Sequence, residues 1–282
     1  MNMRLYCGRL CVIALAYAIT GRFGLLISDF SPHITLLWLP SGIAVAALFR
    51  WGYRYWPAVF VSAFALNFSI APLALLATGI AIGNTLGPML AVWLLRHFQF
   101  RPRLERAYDV VILAMSGGLG MVLSATGGVF NLMLHGEVPA EALNRAWFSW
   151  WMGDVMGVLL IAPLLLSVSR SEFSRLGQKR GEFACWLLAA VVVVWFIFFP
   201  LPHSLFDSTA MLFLLPLVIW PSMRHGVAGA SFSVLALSFL IAGSIVIGNG
   251  SLQQMEQQGM FSLWALMSLM MLITLMITAL QA

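Results

Sequence analysis

Asp154 and Arg22 are the ionisable residues placed well inside long apolar segments of this chain, and they are the first candidates for chemistry. Asp154 follows Arg145 by nine residues. That spacing corresponds to about 14 Å along a helix, near the middle of a bilayer. An ionisable group at that depth is costly and is a functional candidate by default. Two interpretations of Asp154 stay open: a proton- or ligand-linked switch, and a hydrogen-bonded carboxylate that holds helices together. Arg22 is better explained by a side chain that reaches the membrane interface than by a partner of Asp154.

Polar side chains in other apolar segments are predicted at similar depth. Ser41 follows Pro40 in the second segment, Asn84 lies midway along the fourth, and Asn67 lies toward the outer end of the third. Pro40 is expected to interrupt its helix and to free a backbone carbonyl one turn earlier, because proline has no N–H to donate. These groups predict one polar site around Asp154. The alternative is that they only join helices, through hydrogen bonds worth about 0.6 kcal/mol each.

Four tryptophans are predicted to line the same site, although an aromatic belt at the membrane interface explains each of them better on its own. Trp38 precedes the proline of the second segment, and Trp147, Trp150 and Trp151 precede Asp154 in the sixth. Gly153 and Gly157 form a pair of small residues one helical turn apart. With Pro163 they are assigned to helix packing, because small residues let membrane helices approach closely.

Sequence motifs for common enzyme chemistry are absent. The chain has no phosphate-binding glycine loop, no GxSxG nucleophile motif and no HExxH zinc motif. Its five histidines fall at the ends of apolar segments or between them, and its three cysteines have no metal-site spacing. The sequence therefore predicts no metal, no cofactor and no catalytic residue, and the chain is not expected to be an enzyme.

The composition is that of an integral membrane protein. The chain is 61% hydrophobic and only 9% charged, with a mean hydropathy of +0.95, whereas soluble domains carry about 25% charged residues. The isoelectric point near 9.6 would also suit a nucleic-acid-binding protein. The basic residues nevertheless fall in short clusters between apolar segments, which is the pattern that orients a membrane protein. The expected partner is therefore the lipid bilayer and not nucleic acid.

The apolar segments predict an all-α, polytopic bundle of about ten transmembrane helices, with a range of eight to ten. Because about 20 apolar residues cross a membrane, the candidates are 10–28, 34–50, 55–70, 73–96, 108–133, 145–168, 183–200, 208–222, 226–247 and 259–280. With this count, 13 of the 15 basic residues lie on one side. Positive loops stay in the cytoplasm, so both termini are expected there, in the bacterial inner membrane.

The whole chain, 1–282, is predicted to be a single membrane domain, because no connecting segment is long enough to fold separately. The last segment ends at Leu280 on the expected cytoplasmic side, and only two residues follow. We expect the chain to be a membrane module whose cytoplasmic output domain continues after residue 282.

Three short motifs, in order along the chain, resemble a known family. The first is Leu37-Trp38-Leu39-Pro40-Ser41-Gly42-Ile43-Ala44 with Arg50-Trp51-Gly52 and Tyr55-Trp56-Pro57. The second is Gly83-Asn84-Thr85 with Leu94-Leu95-Arg96. The third is Trp150-Trp151-Met152-Gly153-Asp154 with Gly157 and Ala162-Pro163-Leu164-Leu165-Leu166. With these motifs the chain resembles the bacterial membrane-associated sensor domain, first MASE class. The resemblance implies a sensory input module that precedes a cyclic di-GMP enzyme or a histidine kinase.

The leading hypothesis is therefore a membrane-embedded input module. It would perceive a small molecule, a lipid or a membrane partner and regulate a C-terminal cytoplasmic signalling domain. A homodimer is expected, because outputs of these kinds usually act in pairs. The alternative is a transporter or channel with a polar site at the midplane. A structural anchor or dimerisation scaffold is the third hypothesis, and it leaves the costly buried polar groups without a purpose.

Overall fold

The computed structural model describes residues 3–26, 33, 35, 37–167, 180–198, 213–247 and 257–281, and within these residues it is helical, without a β-strand. Nine α-helices are present in the described part: α1 (Met3–Leu25), α2 (Leu39–Trp51), α3 (Trp56–Ile70), α4 (Ala74–His97), α5 (Ala107–Leu134), α6 (Leu143–Ser167), α7 (Arg180–Phe198), α8 (Leu215–Ile247) and α9 (Gln257–Leu280). Single 3-10 turns, Tyr53–Tyr55 and Ala140–Ala142, precede α3 and α6. The predicted all-α class is confirmed.

Five of the described helical segments are long and apolar enough to cross a membrane: Met3–Leu25, Ala74–His97, Ala107–Leu134, Ala140–Ser167 and Leu215–Ile241. Shorter apolar stretches occur in α2, α7 and α9. Length and composition therefore support a membrane protein with several spans. The expected number of about ten spans and the cytoplasmic position of both termini stay predictions.

Helix α8 covers most of the eighth and ninth predicted segments, 208–222 and 226–247. It bends between them at Gly226, where φ is 63° and ψ is −157°. Glycine enters this region readily because it has no Cβ. The break in helical geometry thus lies at the predicted boundary, while residues 208–212 fall outside the described part of the chain.

The predicted role of Pro40 as a helix breaker is wrong. Helix α2 begins at Leu39, so Pro40 lies in its first turn. Backbone N–H groups in the first turn have no partner within the helix, and proline therefore fits there without loss of a hydrogen bond. Pro40 starts the helix that carries Ser41 and does not interrupt it.

The chain divides into two compact units. The first comprises Met1–Phe100 and Val111–Leu165, and the second comprises Arg101–Val110 and Leu166–Ala282. In the first unit α1 packs against α2 and α3, and α4 packs against the same two helices. In the second unit α8 packs against α7 and α9. The expectation of a single domain over 1–282 stays a prediction.

Small residues bring the helices of the first unit close enough for their polar side chains to meet. Between α4 and α5, a Cβ added to Gly87 would lie 3.2 Å from the carbonyl oxygen of Gly120. Between α2 and α6, a Cβ added to Gly42 would overlap the carbonyl oxygen of Gly157. Side chains larger than hydrogen at these positions would push the helices apart, so the glycines set the distances on which the polar site depends.

Candidate functional site

One fully buried carboxylate joins three helices. Asp154 of α6 is 0% exposed. Its Oδ1 accepts a hydrogen bond of 2.5 Å from the hydroxyl of Ser41 in α2, and its Oδ2 lies 2.5 Å from the hydroxyl of Ser124 in α5. A carboxylate in a membrane segment is tolerated when such partners surround it. The structure therefore brings together two of the predicted site residues and adds Ser124, which the sequence did not single out.

Ser124 is the centre of a larger hydrogen-bond cluster. Its Oγ lies 2.9 Å from Oδ1 of Asn84 in α4, and it accepts a hydrogen bond of 3.3 Å from the indole Nε1 of Trp150 in α6. Asn84 and Ser124 are both buried. Through this one hydroxyl, the Asp154 carboxylate is linked to a fourth helix.

The number of protons in this cluster allows two arrangements. A serine hydroxyl carries one proton, so Ser124 cannot donate to Asp154 and to the oxygen of Asn84 at once. If Asp154 is ionised, Ser124 donates to it and the Asn84 amide must present its nitrogen to Ser124. If Asp154 is protonated on Oδ2, it donates to Ser124, which then donates to the Asn84 oxygen. A proton on Oδ2 is thereby coupled to the orientation of the Asn84 amide.

A small cavity lies beside the carboxylate. It offers about 10 Å³ to the centre of a water-sized molecule and is lined by His33, Thr35, Trp38, Asn67, Asn84, Trp150 and Asp154. That volume corresponds to about one water molecule, and the polar lining is of the kind that holds buried water. A ligand larger than a water molecule would require the lining side chains to move.

Tyr17 of α1 places another buried polar group near Trp38 and Asn84. Its side chain is 0% exposed, and its ring lies edge-on to Trp38 with 6.4 Å between ring centres. The hydroxyl makes no hydrogen bond of ordinary geometry within the described residues, although Trp38 and Asn84 are near it. A buried phenol normally has a hydrogen-bond partner, but Tyr17 is not among the residues that line the cavity.

His33 and Asn67 are hydrogen-bonded to each other in the lining of the cavity. His33 is buried, and its Nδ1 lies 3.0 Å from Oδ1 of Asn67. Because the Asn67 amide nitrogen donates to the carbonyl of Ala63 at 2.9 Å, its oxygen is the acceptor and His33 Nδ1 carries the proton. Burial lowers the pKa of His33 from its ordinary value, while the Asn67 bond and the charge of Glu137 act in the opposite direction. On balance the fold favours the neutral imidazole.

The predicted site residues are thus only partly brought together. Trp38, Asn67, Asn84 and Asp154 line the cavity, and Ser41 bonds to the carboxylate. Trp151 lies elsewhere: its Nε1 donates to the carbonyl of Gly118 at 2.8 Å, and its ring stacks on Trp147. Of the four candidate tryptophans, Trp38 and Trp150 line the cavity. Whether any of these residues binds a signal stays a prediction.

The residues assigned to helix packing lie where α6 meets the start of α2. The carbonyl of Gly153 accepts a hydrogen bond of 3.0 Å from the backbone N–H of Trp38. A Cβ on Gly157 would overlap the carbonyl oxygen of Trp38. Pro163 is buried inside α6, two turns beyond Gly157. Gly153 and Gly157 therefore hold the backbone of α2 against the helix that carries Asp154.

Several polar residues in or beside the site were not singled out from the sequence: Tyr17, His33, Thr35 and Ser124. Ser124 stands in a run of small residues, Ser124-Ala125-Thr126-Gly127-Gly128, which is typical of helix packing. His33 stands between two apolar segments, where a histidine is ordinarily solvated. Ser124 could have been identified from its depth in the fifth segment, because this depth is close to that of Asp154 in the sixth.

No group of three or more His, Cys, Asp and Glu side chains in the described residues could hold a metal ion. The three cysteines are free and exposed. What the site offers is a carboxylate, hydroxyls, amides, indole N–H groups and one imidazole, which suit hydrogen bonding and proton exchange.

Comparisons with known proteins agree with the sequence motifs. The family model MASE1 matches residues 9–282. The chain is 26% identical over 213 residues to a protein named "Probable diguanylate cyclase DgcE" from Escherichia coli (strain K12), and the match covers 72% of this chain. It covers 18% of that relative, so the chain corresponds to less than a fifth of its length. No solved structure matches the chain.

Proposed function

Because the chain belongs to the MASE1 family of membrane sensory input modules, we propose that it detects its signal through the Asp154 cluster and regulates a C-terminal cytoplasmic signalling domain. A domain of cyclic di-GMP turnover is favoured by the name of the E. coli relative, and a histidine kinase is the other output. The observation that carries the proposal is the convergence of Ser41, Ser124 and Asp154 from three helices beside a polar cavity.

The cluster has the properties that a switch requires. A signal can shift an equilibrium only by binding two states with different affinity. In one proton arrangement Asp154 accepts from Ser124, and in the other it donates, so a molecule that enters the cavity meets a different pattern of donors in each. Because the hydrogen bonds connect α2, α4, α5 and α6, a change at the carboxylate acts on all four helices.

Loss of the Asp154 charge is expected to change signalling more than folding. We would place residues 1–282 in front of the remainder of the E. coli relative, in place of its matching segment, and measure cellular cyclic di-GMP. Asp154→Asn keeps the size of the side chain but cannot exchange a proton. We expect the cyclic di-GMP level to change by about threefold or more, in one direction and independently of pH. A threefold change corresponds to a shift of about 0.7 kcal/mol in the equilibrium between the two signalling states.

The matched control is Asp109→Asn. Asp109 is also fully buried, but it forms an ion pair with Arg106, with 2.9 Å between Arg106 Nε and Asp109 Oδ2. This variant is expected to lower thermal stability and to leave the cyclic di-GMP level within about twofold of the unmodified chimera. An Asp154→Asn chimera with lowered stability and unchanged, still regulated cyclic di-GMP would contradict a sensory role and leave Asp154 as a packing residue.

The orientation with both termini in the cytoplasm belongs to the same proposal. It is supported by the 13 of 15 basic residues that fall on one side of the predicted spans. Reporter fusions at Arg103 and Arg175 should read cytoplasmic, and fusions at Glu137 and Gln254 should read periplasmic. A periplasmic reading at Arg175 would show that the number of spans before it is wrong.

A homodimer in the inner membrane completes the proposal. Regulation of a paired output requires that two input modules change together. The glycines of α2, α4, α5 and α6 pack against other helices of the same chain, so a dimer would form through other residues. The signal itself, whether a small molecule, a lipid or a membrane protein, must reach the cavity from the membrane or from its outer side.

A further inference from the structure

A groove runs along the outside of α4, apart from the Asp154 cavity. Its free volume is about 340 Å³, and its walls are Leu86, Met89, Leu90 and Trp93 of α4, Leu123 of α5 and Tyr53 of the 3-10 turn before α3. The four α4 residues follow the spacing of one helix face, and they extend over about 10 Å. The groove is therefore elongated and apolar, and it runs along a helix of membrane-spanning length.

The groove exists because α4 and α5 approach closely at glycine. Gly87 and Gly120 bring the two backbones together, while Leu86 and Leu123 on either side are 47% and 43% exposed. Exposed leucines on a helix of membrane-spanning length face hydrocarbon. The walls thus suit a flexible hydrocarbon chain, and they lack the polar groups that would select a compact polar ligand.

The end of the groove near Arg96 is polar. The hydroxyl of Tyr53 is buried and has no hydrogen-bond partner among the described residues. The guanidinium of Arg96 lies over the Tyr53 ring, 4.9 Å from its centre. Arg96 donates through Nη2 to the carbonyls of Leu48 and Phe49, which leaves Nη1 and Nε to donate to an anion, since a guanidinium has five N–H donors.

The segment that forms this end carries charge of one sign. Residues 39–100 contain Arg50, Arg54 and Arg96 but no aspartate or glutamate. Arg54 and Arg96 are exposed. Arginine is well suited to phosphate because its N–H groups match phosphate oxygens in a planar fork, and clustered arginines at the cytoplasmic face attract anionic lipids.

We propose that this groove binds one anionic phospholipid of the bilayer. An acyl chain lies along Leu86, Leu90 and Trp93, and the phosphate accepts hydrogen bonds from Arg96. Rotation of the Tyr53 side chain brings its hydroxyl, which is buried in the lipid-free structure, to the same phosphate. The acyl chain then contacts apolar side chains and the phosphate contacts a guanidinium. The Tyr53 hydroxyl gains a hydrogen-bond partner that the described residues do not supply.

The test is lipid retention measured by native mass spectrometry after release of the full chain from nanodiscs. Discs would contain phosphatidylglycerol and phosphatidylcholine with matched acyl chains. The unmodified chain should retain one phosphatidylglycerol in preference to phosphatidylcholine. Tyr53→Phe should bind it about tenfold more weakly, as expected for loss of a hydrogen bond to a charged group. Its thermal stability in lipid-free detergent should be unchanged, because the hydroxyl has no protein partner to lose.

A second variant and a control separate the groove from general lipid contact. Leu123→Trp should fill the apolar part of the groove and reduce retention to the same degree, through the acyl chain instead of the phosphate. Tyr108→Phe is the matched control, since Arg106 lies over the Tyr108 ring at 5.7 Å but Tyr108 does not line the groove; it should retain lipid normally. Equal retention of the two lipids, or equal retention by Tyr53→Phe and the unmodified chain, would overturn the proposal.

Discussion

Replacing Gly157 with alanine is expected to destabilise the protein by about 3 kcal/mol, at the upper end of the cost of overpacking. The new methyl group would overlap the backbone carbonyl of Trp38, and a backbone atom cannot rotate away as a side chain can. To make room, α2 must separate from α6. That movement would stretch the bond from Trp38 N to Gly153 O and the bond from Ser41 to Asp154.

The sign of this effect makes it a strict test. Alanine is better than glycine inside a helix by about 1 kcal/mol, so without a clash the substitution would stabilise. Gly8→Ala in α1 is the control, because a Cβ at Gly8 has nothing within 4 Å. The midpoint of thermal unfolding, followed by fluorescence-detected size-exclusion chromatography, should fall for Gly157→Ala and should not fall for Gly8→Ala. An unchanged midpoint for Gly157→Ala would contradict the close contact between α2 and α6.

A second comparison separates backbone from side-chain contact. A Cβ at Gly79 would also overlap a neighbour, but the neighbour is the side-chain amide of Asn131. That amide can rotate at the loss of its 2.7 Å hydrogen bond to the carbonyl of Gly127. We therefore expect Gly79→Ala to cost much less than Gly157→Ala, and to leave the response of the Asp154 site unaltered.

Replacing Ser124 with alanine is expected to have the other large effect, a loss of about 2 kcal/mol or more. Asp154, Asn84 and Trp150 each lose a hydrogen-bond partner. In membrane proteins such bonds are worth about 0.6 kcal/mol on average, and a polar group left buried without a partner costs about 1–3 kcal/mol. The same thermal measurement reports the loss, and Ser41→Ala, which removes a single bond, should cost less.

Ser116→Ala is the matched control for Ser124→Ala. Ser116 lies in the same helix and is also buried, but its hydroxyl has no hydrogen-bond partner among the described residues. Its removal should be neutral or slightly stabilising, because no buried group loses a partner. Combined with Asp154→Asn, Ser124→Ala should show an interaction energy, since both variants act on the same bond. Additive losses would mean that the serine and the carboxylate do not act as one cluster.

The membrane class and the helical fold follow from composition and segment length alone. With 9% charged residues, the chain cannot cover its apolar surface in water, and in a bilayer a continuous helix satisfies its own backbone. Even the bend at Gly226 coincides with a boundary read from the sequence. Counting residues predicted the depth of Asp154, and the cost of a carboxylate in lipid predicted that its side chain lies inside the bundle, where it is fully buried.

The hydrogen-bond partners of Asp154 depend on how each helix is rotated about its own axis, and this rotation could not be inferred from the sequence. Helices that are apolar on all sides carry no polar face from which their orientation could be inferred. Trp150 and Trp151 differ by about 100° around α6, and only packing decided that Trp150 lines the cavity and Trp151 faces α5. Ser124 became the centre of the cluster for the same reason.

The backbone position of Pro40 was likewise decided by tertiary contacts and not by residue type. Proline breaks a helix from an interior position but is tolerated in the first turn. The residue type alone therefore allowed two outcomes: a helix broken at Pro40, or a helix that begins there. Contact of the Trp38 backbone with Gly153 and Gly157 decided the matter, because it holds the chain out of helical geometry until Leu39. The sequence by itself determined that the chain is helical and apolar, and it predicted that Asp154 lies inside the bundle. The tertiary structure decided which of them meet, since hydrogen bonds form only where helix rotation and glycine contacts bring two polar atoms within about 3 Å.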